Sequence, residues 1–444
     1  MKVPAIALIL ATVASAADFA IPPLKYSHRT LGNGLEIYTI EDHASPTTAV
    51  SVWYHVGSKD DPAGRSGFAH LFEHMMFKGT KNMAPETLDR FTEDVGGENN
   101  AYTADDVTVY HEVVPSNHLE RILWAEAERM ASLIVDDKNF RSEREVVKQE
   151  YLQTVEAAPY GRFEEDVQKK SFTTHPYKRT TIGSIPDLNA ATIDDVRQFH
   201  RTFYRPDNAT LIVVGDFDPQ QLDGWIDRYF TAIAQPVEPV PRVAAKEPPR
   251  TKAQRITTRD AAVPLPAFAV TFLAPDLRSG DALALEVAVA ILAGGESSRL
   301  HHTLVYEKQL AQSVEGDAGL REDLGLIVFK VVLASGHAVK EVEQACLAEL
   351  ERIAAAPPTE AELATAKNRL LTADLHARET NEGKAGALGN AAVLLRDAAR
   401  VDADLARLQA VTAEQVNAAL KTILTESNRL VIEVLPDANP KGKR

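Results

Sequence analysis

Two stretches of this chain, 220 positions apart, spell the same local structure. Thr192, Val196, Asn208 and Leu211 fall opposite Thr412, Val416, Asn428 and Val431. In each place an N-capping Thr opens an amphipathic helix, an Asn marks a turn and an apolar strand follows, LIVVGDF in the first copy and LVIEVLP in the second. Between the copies lies QPVEPVPRVAAKEPP, residues 235–249, packed with proline and lacking any apolar period, which reads as an extended linker near the midpoint. A repeat on either side of a linker restricts the fold to two copies of one α+β unit. We expect an N-terminal domain over residues 18–234, a linker over 235–250 and a C-terminal domain over 251–440.

Within the first copy, Leu35–Ile40 and Thr48–Val56 read as strands, and Ser66–Phe77 as a helix stopped by Gly79. Leu88–Val95 reads as a second helix, closed by the turn Gly96-Gly97. Ala101–Val114, rich in Thr, Val and Tyr, reads as one strand, and Leu119–Leu133 and Arg141–Val155 as long helices. Strands first, helices in the middle and one strand at the close imply a mostly antiparallel sheet in each domain, with helices packed against it.

The amino terminus carries a basic start, Met1-Lys2-Val3, an apolar run from Pro4 to Val13 and the small residues Ala14-Ser15-Ala16. That is the layout of a cleaved secretory signal over residues 1–17, so we expect an exported, soluble, periplasmic product with no integral membrane span. The net charge of −15 repels a polyanion such as nucleic acid. A single cysteine, Cys346, makes neither an internal disulfide nor a thiolate metal site, which leaves His, Asp and Glu for metal chemistry.

The string His70-Leu71-Phe72-Glu73-His74 lies within the expected helix Ser66–Phe77. At about 100° per residue, His70, Glu73, His74 and Phe77 share one stripe, and Phe68, Leu71, Phe72, Met75 and Met76 cover the other face. Two imidazoles one turn apart reach a single tetrahedral ion, in the reverse order of the better-known zinc peptidase helix. A catalytic zinc takes three protein ligands. The helix Arg141–Val155 offers Glu143, Val146, Val147 and Glu150 on one face, two carboxylates among valines on a surface expected to be buried. Buried carboxylates require positive charge opposite them, and a metal would satisfy one of the two. Zinc suits nitrogen and oxygen donors at a hydrolytic site. Glu73 is placed to take a proton from the attacking water and hand it to the leaving amine.

These residues carry a resemblance to the pitrilysin or insulinase family of zinc peptidases, which includes the mitochondrial processing peptidases. SGFAHLFEHMMFKGT, GGENNAYTADDVTVY, EREVVKQE, HPYKRTTIGS and FYRPDNATLIVVGDF all resemble segments of that family in the expected order. The resemblance implies paired α+β domains and a zinc endopeptidase that cleaves peptides or unfolded segments inside a chamber, with one Zn2+ per chain. It implies His70, His74 and Glu150 as ligands, Glu73 as general base, Glu143 as supporting acid, and Asn100 and Ala101 on an edge strand where a peptide adds beside the sheet. The family's second half supplies an Arg and a Tyr to the substrate carbonyl, whereas the matching stretch here has Val305 and Gln312. Arg299 and Tyr306 are candidate substitutes. An intact zinc set beside a missing Arg/Tyr pair leads us to expect the metal-bearing subunit of a heterodimer with a homologous partner. The alternatives are a non-catalytic structural or assembly subunit of the same family and a hydrolase acting as a homodimer.

Overall fold

The computed structural model describes residues 21–437, so the expected leader lies outside the described residues. In the first half, strands β1 (Ser27–Thr30), β2 (Glu36–Glu41), β3 (Thr47–Tyr54), β4 (Glu98–Thr103), β5 (Thr108–Pro115) and β6 (Ala209–Gly215) form one sheet in the order β1-β2-β6-β3-β5-β4. In the second, β7 (Gln254–Asp260), β8 (Ala267–Ala274), β9 (Ala311–Gly319), β10 (Gly325–Leu333) and β11 (Arg429–Pro436) form a sheet in the order β7-β11-β8-β10-β9. The orders superpose once β1 is set aside, and each sheet has a single parallel pair, β2 with β6 and β7 with β11. The architecture is therefore two related α+β units with mostly antiparallel sheets.

The sequence repeat recurs bond by bond. Thr192 and Thr412 each cap an eleven-residue helix, Ile193–Phe203 and Ala413–Ile423, and each is answered by the side chain three residues on, Asp195 or Gln415. Asn208 then donates to the carbonyl of Phe203 at 2.8 Å, and Asn428 to that of Ile423 at 3.0 Å. These bonds close the turn that feeds β6 or β11 into the centre of its sheet.

Two local expectations need correction. Residues 101–114 are a hairpin, β4 and β5, not one strand. Asp105 and Asp106 leave the ladder at its turn, where Asp105 accepts from Ser58 at 2.9 Å and Asp106 pairs with Lys59 at 2.7 Å. The first helix, α1 (Phe68–Met75), begins two residues later than its periodicity suggests, because Gly67 sits at φ +92°, a left-handed conformation that glycine adopts without strain. It is followed by α2 (Thr87–Glu93), α3 (Leu119–Ser132), α4 (Asp137–Tyr151) and α5 (Gly161–Ser171).

Each sheet is covered on one face by its own helices and on the other by a helix of the opposite half. Phe163 and Val167 of α5 pack with Ala267, Leu430 and Ile432 on the second sheet. Ala385 and Leu388 of the helix Asn381–Gly389 pack with Trp53, Ile212 and Val214 on the first. Gly389 allows that approach, since a Cβ there would lie 2.2 Å from the Trp53 ring. Residues 235–253 carry no helix or strand, yet they are strapped down: Arg242 donates to the His55 carbonyl at 2.7 Å, and Arg250 to those of Ser171 and Thr271 at 2.8 Å.

A buried ionic seam closes the junction. Glu322, between β9 and β10, is paired with His55 at 2.6 Å, Lys59 at 2.8 Å and Arg396 at 3.0 Å, and its side chain is 1% exposed. Burial alone would raise its carboxyl, but the hydrogen bond and charge of His55, with the charge of Lys59, hold it well below the usual range. A depressed folded-state value gives stabilisation that is complete above the unfolded-state value, about 4.3, and is lost as pH falls toward the folded one. Glu322→Ala removes one carboxylate from Lys59, which keeps Asp106 and Asp323, and leaves His55 and Arg396 without this partner, so we expect it to cost about 1–3 kcal/mol at pH 7. Denaturant titrations should show that difference shrinking below about pH 4. A loss below about 1 kcal/mol at pH 7 would show that the seam does not hold the halves together.

Candidate metal centre

Helix α1 is fixed from beneath and at its start. Phe68, Leu71, Phe72, Met75 and Met76 are all buried in the first core. Asp61 accepts from the amides of Gly67 at 2.6 Å and Ala69 at 2.9 Å, satisfying donors that the helix cannot satisfy itself. The remaining stripe presents His70, Glu73 and His74. Opposite it, α4 starts at Asp136, whose carboxylate accepts from the Asn139 amide at 2.8 Å. Phe140, Glu143, Val147 and Tyr151 form its buried stripe. Val146 does not belong to that surface and is 45% exposed. On a helical wheel it stands roughly 100° from the stripe's centre, whereas Glu150 stands at the boundary, where α4 meets α1.

The two helices bring three donor atoms together. Oε2 of Glu150 is 3.6 Å from Nε2 of His70 and 3.5 Å from Nε2 of His74. All three ligand atoms lie within 4.8 Å of one another. Ligand arms of about 2.0–2.1 Å at tetrahedral angles end roughly 3.4 Å apart, so the spacing suits zinc, and two imidazoles with one carboxylate are a known catalytic zinc donor set. The cluster is short of positive charge. Hydrogen bonds to Glu143 and Glu150, with the charges of Glu150 and Glu73, overcome the burial of the His74 imidazole and push it up to about 9. Burial drives the His70 imidazole down. The Glu150 carboxyl lies below its usual value, chiefly through its bond with His74. A divalent cation would supply the missing charge, and the residues present fit zinc.

Glu143 does not join the donor set. Its carboxylate is 3.0 Å from Nζ of Lys78 and 3.8 Å from Nδ1 of His74, on the side of the imidazole away from Glu150. Glu73 stands beside the histidines, with Oε2 accepting from the Thr103 hydroxyl at 2.6 Å. Burial raises its carboxyl, and the Thr103 bond opposes that rise. Thr103 ends β4, the outermost strand of the first sheet, and the same strand carries Asn100 and Ala101. The Ala101 amide is occupied by the Asn100 side chain at 2.9 Å.

Sequence reasoning overlooked Lys78 and Thr103. Lys78 lies past the end of both the expected and the observed helix, so helical spacing does not mark it. Nothing local marks Thr103, which meets Glu73 only because β4 folds back beside α1. In the second half, Val305 packs on the core and Gln312 is exposed. Arg299 is held by Glu362 at 2.6 and 2.8 Å, and Tyr306 is 76% exposed, so Arg299 is committed elsewhere. Among the described residues no helix is long and apolar enough to cross a membrane.

A family model described as insulinase, peptidase family M16, matches residues 36–185, and one described as the peptidase M16 inactive domain matches residues 190–370. His70, Glu73, His74, Glu143 and Glu150 all fall within the first match. The chain is 30% identical over 344 residues to the zinc protease PqqE of Helicobacter pylori, covering 76% of this chain and 77% of that one. It is 27% identical to a probable mitochondrial-processing peptidase subunit beta of Arabidopsis thaliana, over 59% of this chain and 49% of that one. Among solved structures, a protease from Helicobacter pylori superposes with a TM-score of 0.89 at 26% identity, over 93% of this chain and all of that one. The periplasmic protease PqqL of Escherichia coli shares the fold, with a TM-score of 0.74 at 18% identity over 95% of this chain and 49% of its own.

Equilibrium dialysis of metal-free protein against zinc should give one ion per chain. His70→Ala and Glu150→Ala should abolish that binding, and Lys78→Met, which releases Glu143, should weaken it by about 10–100-fold. Undiminished binding in His70→Ala would refute the assignment of the site.

Proposed function

The chain belongs to peptidase family M16, the insulinase family, and on that premise we propose that it is a zinc-dependent endopeptidase acting on peptides or unfolded segments, the metal-bearing subunit of a heterodimer. The observation that carries the reading is the convergence of His70, His74 and Glu150 within 4.8 Å, with the Glu73 carboxylate beside them. His70, His74 and Glu150 would hold the zinc. The chemistry it supplies is Lewis acidity, lowering the pKa of water toward neutrality and stabilising the charge that grows on the scissile carbonyl oxygen.

The chain's own groups do the rest. The free edge of β4 offers main-chain donors and acceptors to an extended peptide, at Asn100 and Ala101, and leaves side-chain choice to neighbouring pockets. To bind there, a peptide displaces the Asn100 side chain from the Ala101 amide. Glu73 takes a proton from the attacking water and delivers it to the amine nitrogen as the C–N bond breaks. Glu143, braced by Lys78, keeps the His74 ring turned toward Glu150.

Heterodimer formation is supported by Val305 and Gln312 in place of the Arg/Tyr pair and by the engagement of Arg299 with Glu362. A homologous partner would supply the pair across a closed chamber. Periplasmic localisation rests on the leader sequence, and the structural neighbour described as periplasmic is consistent with it.

The test is cleavage of unfolded peptides by the zinc-loaded chain, alone and mixed with a homologous chain that bears the Arg and Tyr. We expect the mixture to be the active form. Glu73→Gln should lower kcat by about 10²–10⁴-fold while still binding zinc. Turnover unaffected by Glu73→Gln would refute the mechanism, and full turnover of the lone chain, unchanged by any partner, would refute the heterodimer.

A further inference from the structure

We propose that Thr103 is the positioning residue for Glu73, so that the strand receiving the substrate backbone also sets the direction of the proton-transferring carboxylate. This rests on the reading of Glu73 as the base. Glu73 projects from α1 on a side chain with three rotatable bonds, and among the described residues the Thr103 hydroxyl is the one side-chain donor that reaches it, at 2.6 Å. Thr103 is well suited to that task. It is β-branched and therefore stiff at χ1, and it sits in the β4–β5 ladder opposite Thr108.

The protons are committed in one direction. An ionised carboxylate only accepts, so the Thr103 proton points at Oε2 of Glu73. The Thr108 hydroxyl donates to the Val56 carbonyl at 2.9 Å and has no proton left for Thr103, 3.5 Å away. With Oε2 engaged, Oε1 is the oxygen left to receive the proton of the attacking water. Thr103 keeps its own proton throughout and forms no bond to substrate. Thr103 is also the last residue of the strand that carries Asn100 and Ala101, so a peptide that pairs with β4 braces the element from which Glu73 is aimed.

The experiment compares zinc-loaded Thr103→Val and Thr103→Ser with the unaltered chain, in the active assembly, by steady-state kinetics, zinc content and crystal structure. Valine preserves shape and removes the donor; serine keeps the donor. We expect Thr103→Val to lower kcat by about 10²-fold through misplacement of the carboxylate, with KM changed less than about threefold. Zinc should remain at one per chain, Thr103→Ser should recover most of kcat, and the Glu73 carboxylate of Thr103→Val should leave its position beside the histidines. A Thr103→Val kcat within about twofold of the unaltered chain, a loss confined to KM, or equal losses in both variants would overturn the proposal. Should the unaltered zinc-loaded assembly cleave no peptide, the reading of Glu73 as base fails. The crystal structures then decide the positioning claim alone, and an unmoved carboxylate in Thr103→Val overturns it.

Discussion

Burying carboxylates beside histidines requires a cation, and the first half of this protein is arranged around that requirement. Glu143 and Glu150 stand on one side of α4 and meet the polar stripe of α1. Lys78 answers Glu143 directly at 3.0 Å. Glu150 faces two imidazoles whose ionisations are driven apart, one down by burial and one up by the neighbouring acids. A divalent ion held by His70, His74 and Glu150 would resolve the conflict, with both imidazoles neutral and the carboxylate ionised.

That geometry survives only if α1 and α4 cannot drift, and the architecture provides the rigidity. The apolar face of α1 lies in the core above the first sheet, while the opposite face of that sheet is covered by a helix of the second half. The second sheet is covered reciprocally by α5. Glu322 is threaded among His55, Lys59 and Arg396 at the junction of the halves, and residues 235–253 are tied to the first half through Arg242. Substrate admission by a swing of one half against the other would break the buried seam.

What could be read in advance followed the range of the physics involved. The histidine helix and the capping threonines are local, since a few residues fix the helical stripe or the cap, and the repeat at an offset of 220 turned those local signals into a statement about architecture. The edge hairpin reads as one strand because Thr, Val and Tyr flank its turn on both sides, while the turn residues Asp105 and Asp106 pair with Arg321 and Lys59, partly in the other half of the chain. Val146 falls on the expected stripe through its spacing from Glu143, and only the packing of α4 shows the stripe centred elsewhere. Thr103 and Glu322 look in sequence like an ordinary strand residue and a surface acid. Their roles arise from contacts 30 and 263 positions away.

On this reading one zinc ion binds between α1 and α4. X-ray absorption at the zinc edge of the purified protein tests it most directly. The account predicts nitrogen and oxygen neighbours at about 2.0–2.2 Å, with imidazole scattering from two histidines and no sulfur at about 2.3 Å. A shell of water and carboxylate oxygens without imidazole, or no bound zinc at all, would contradict it.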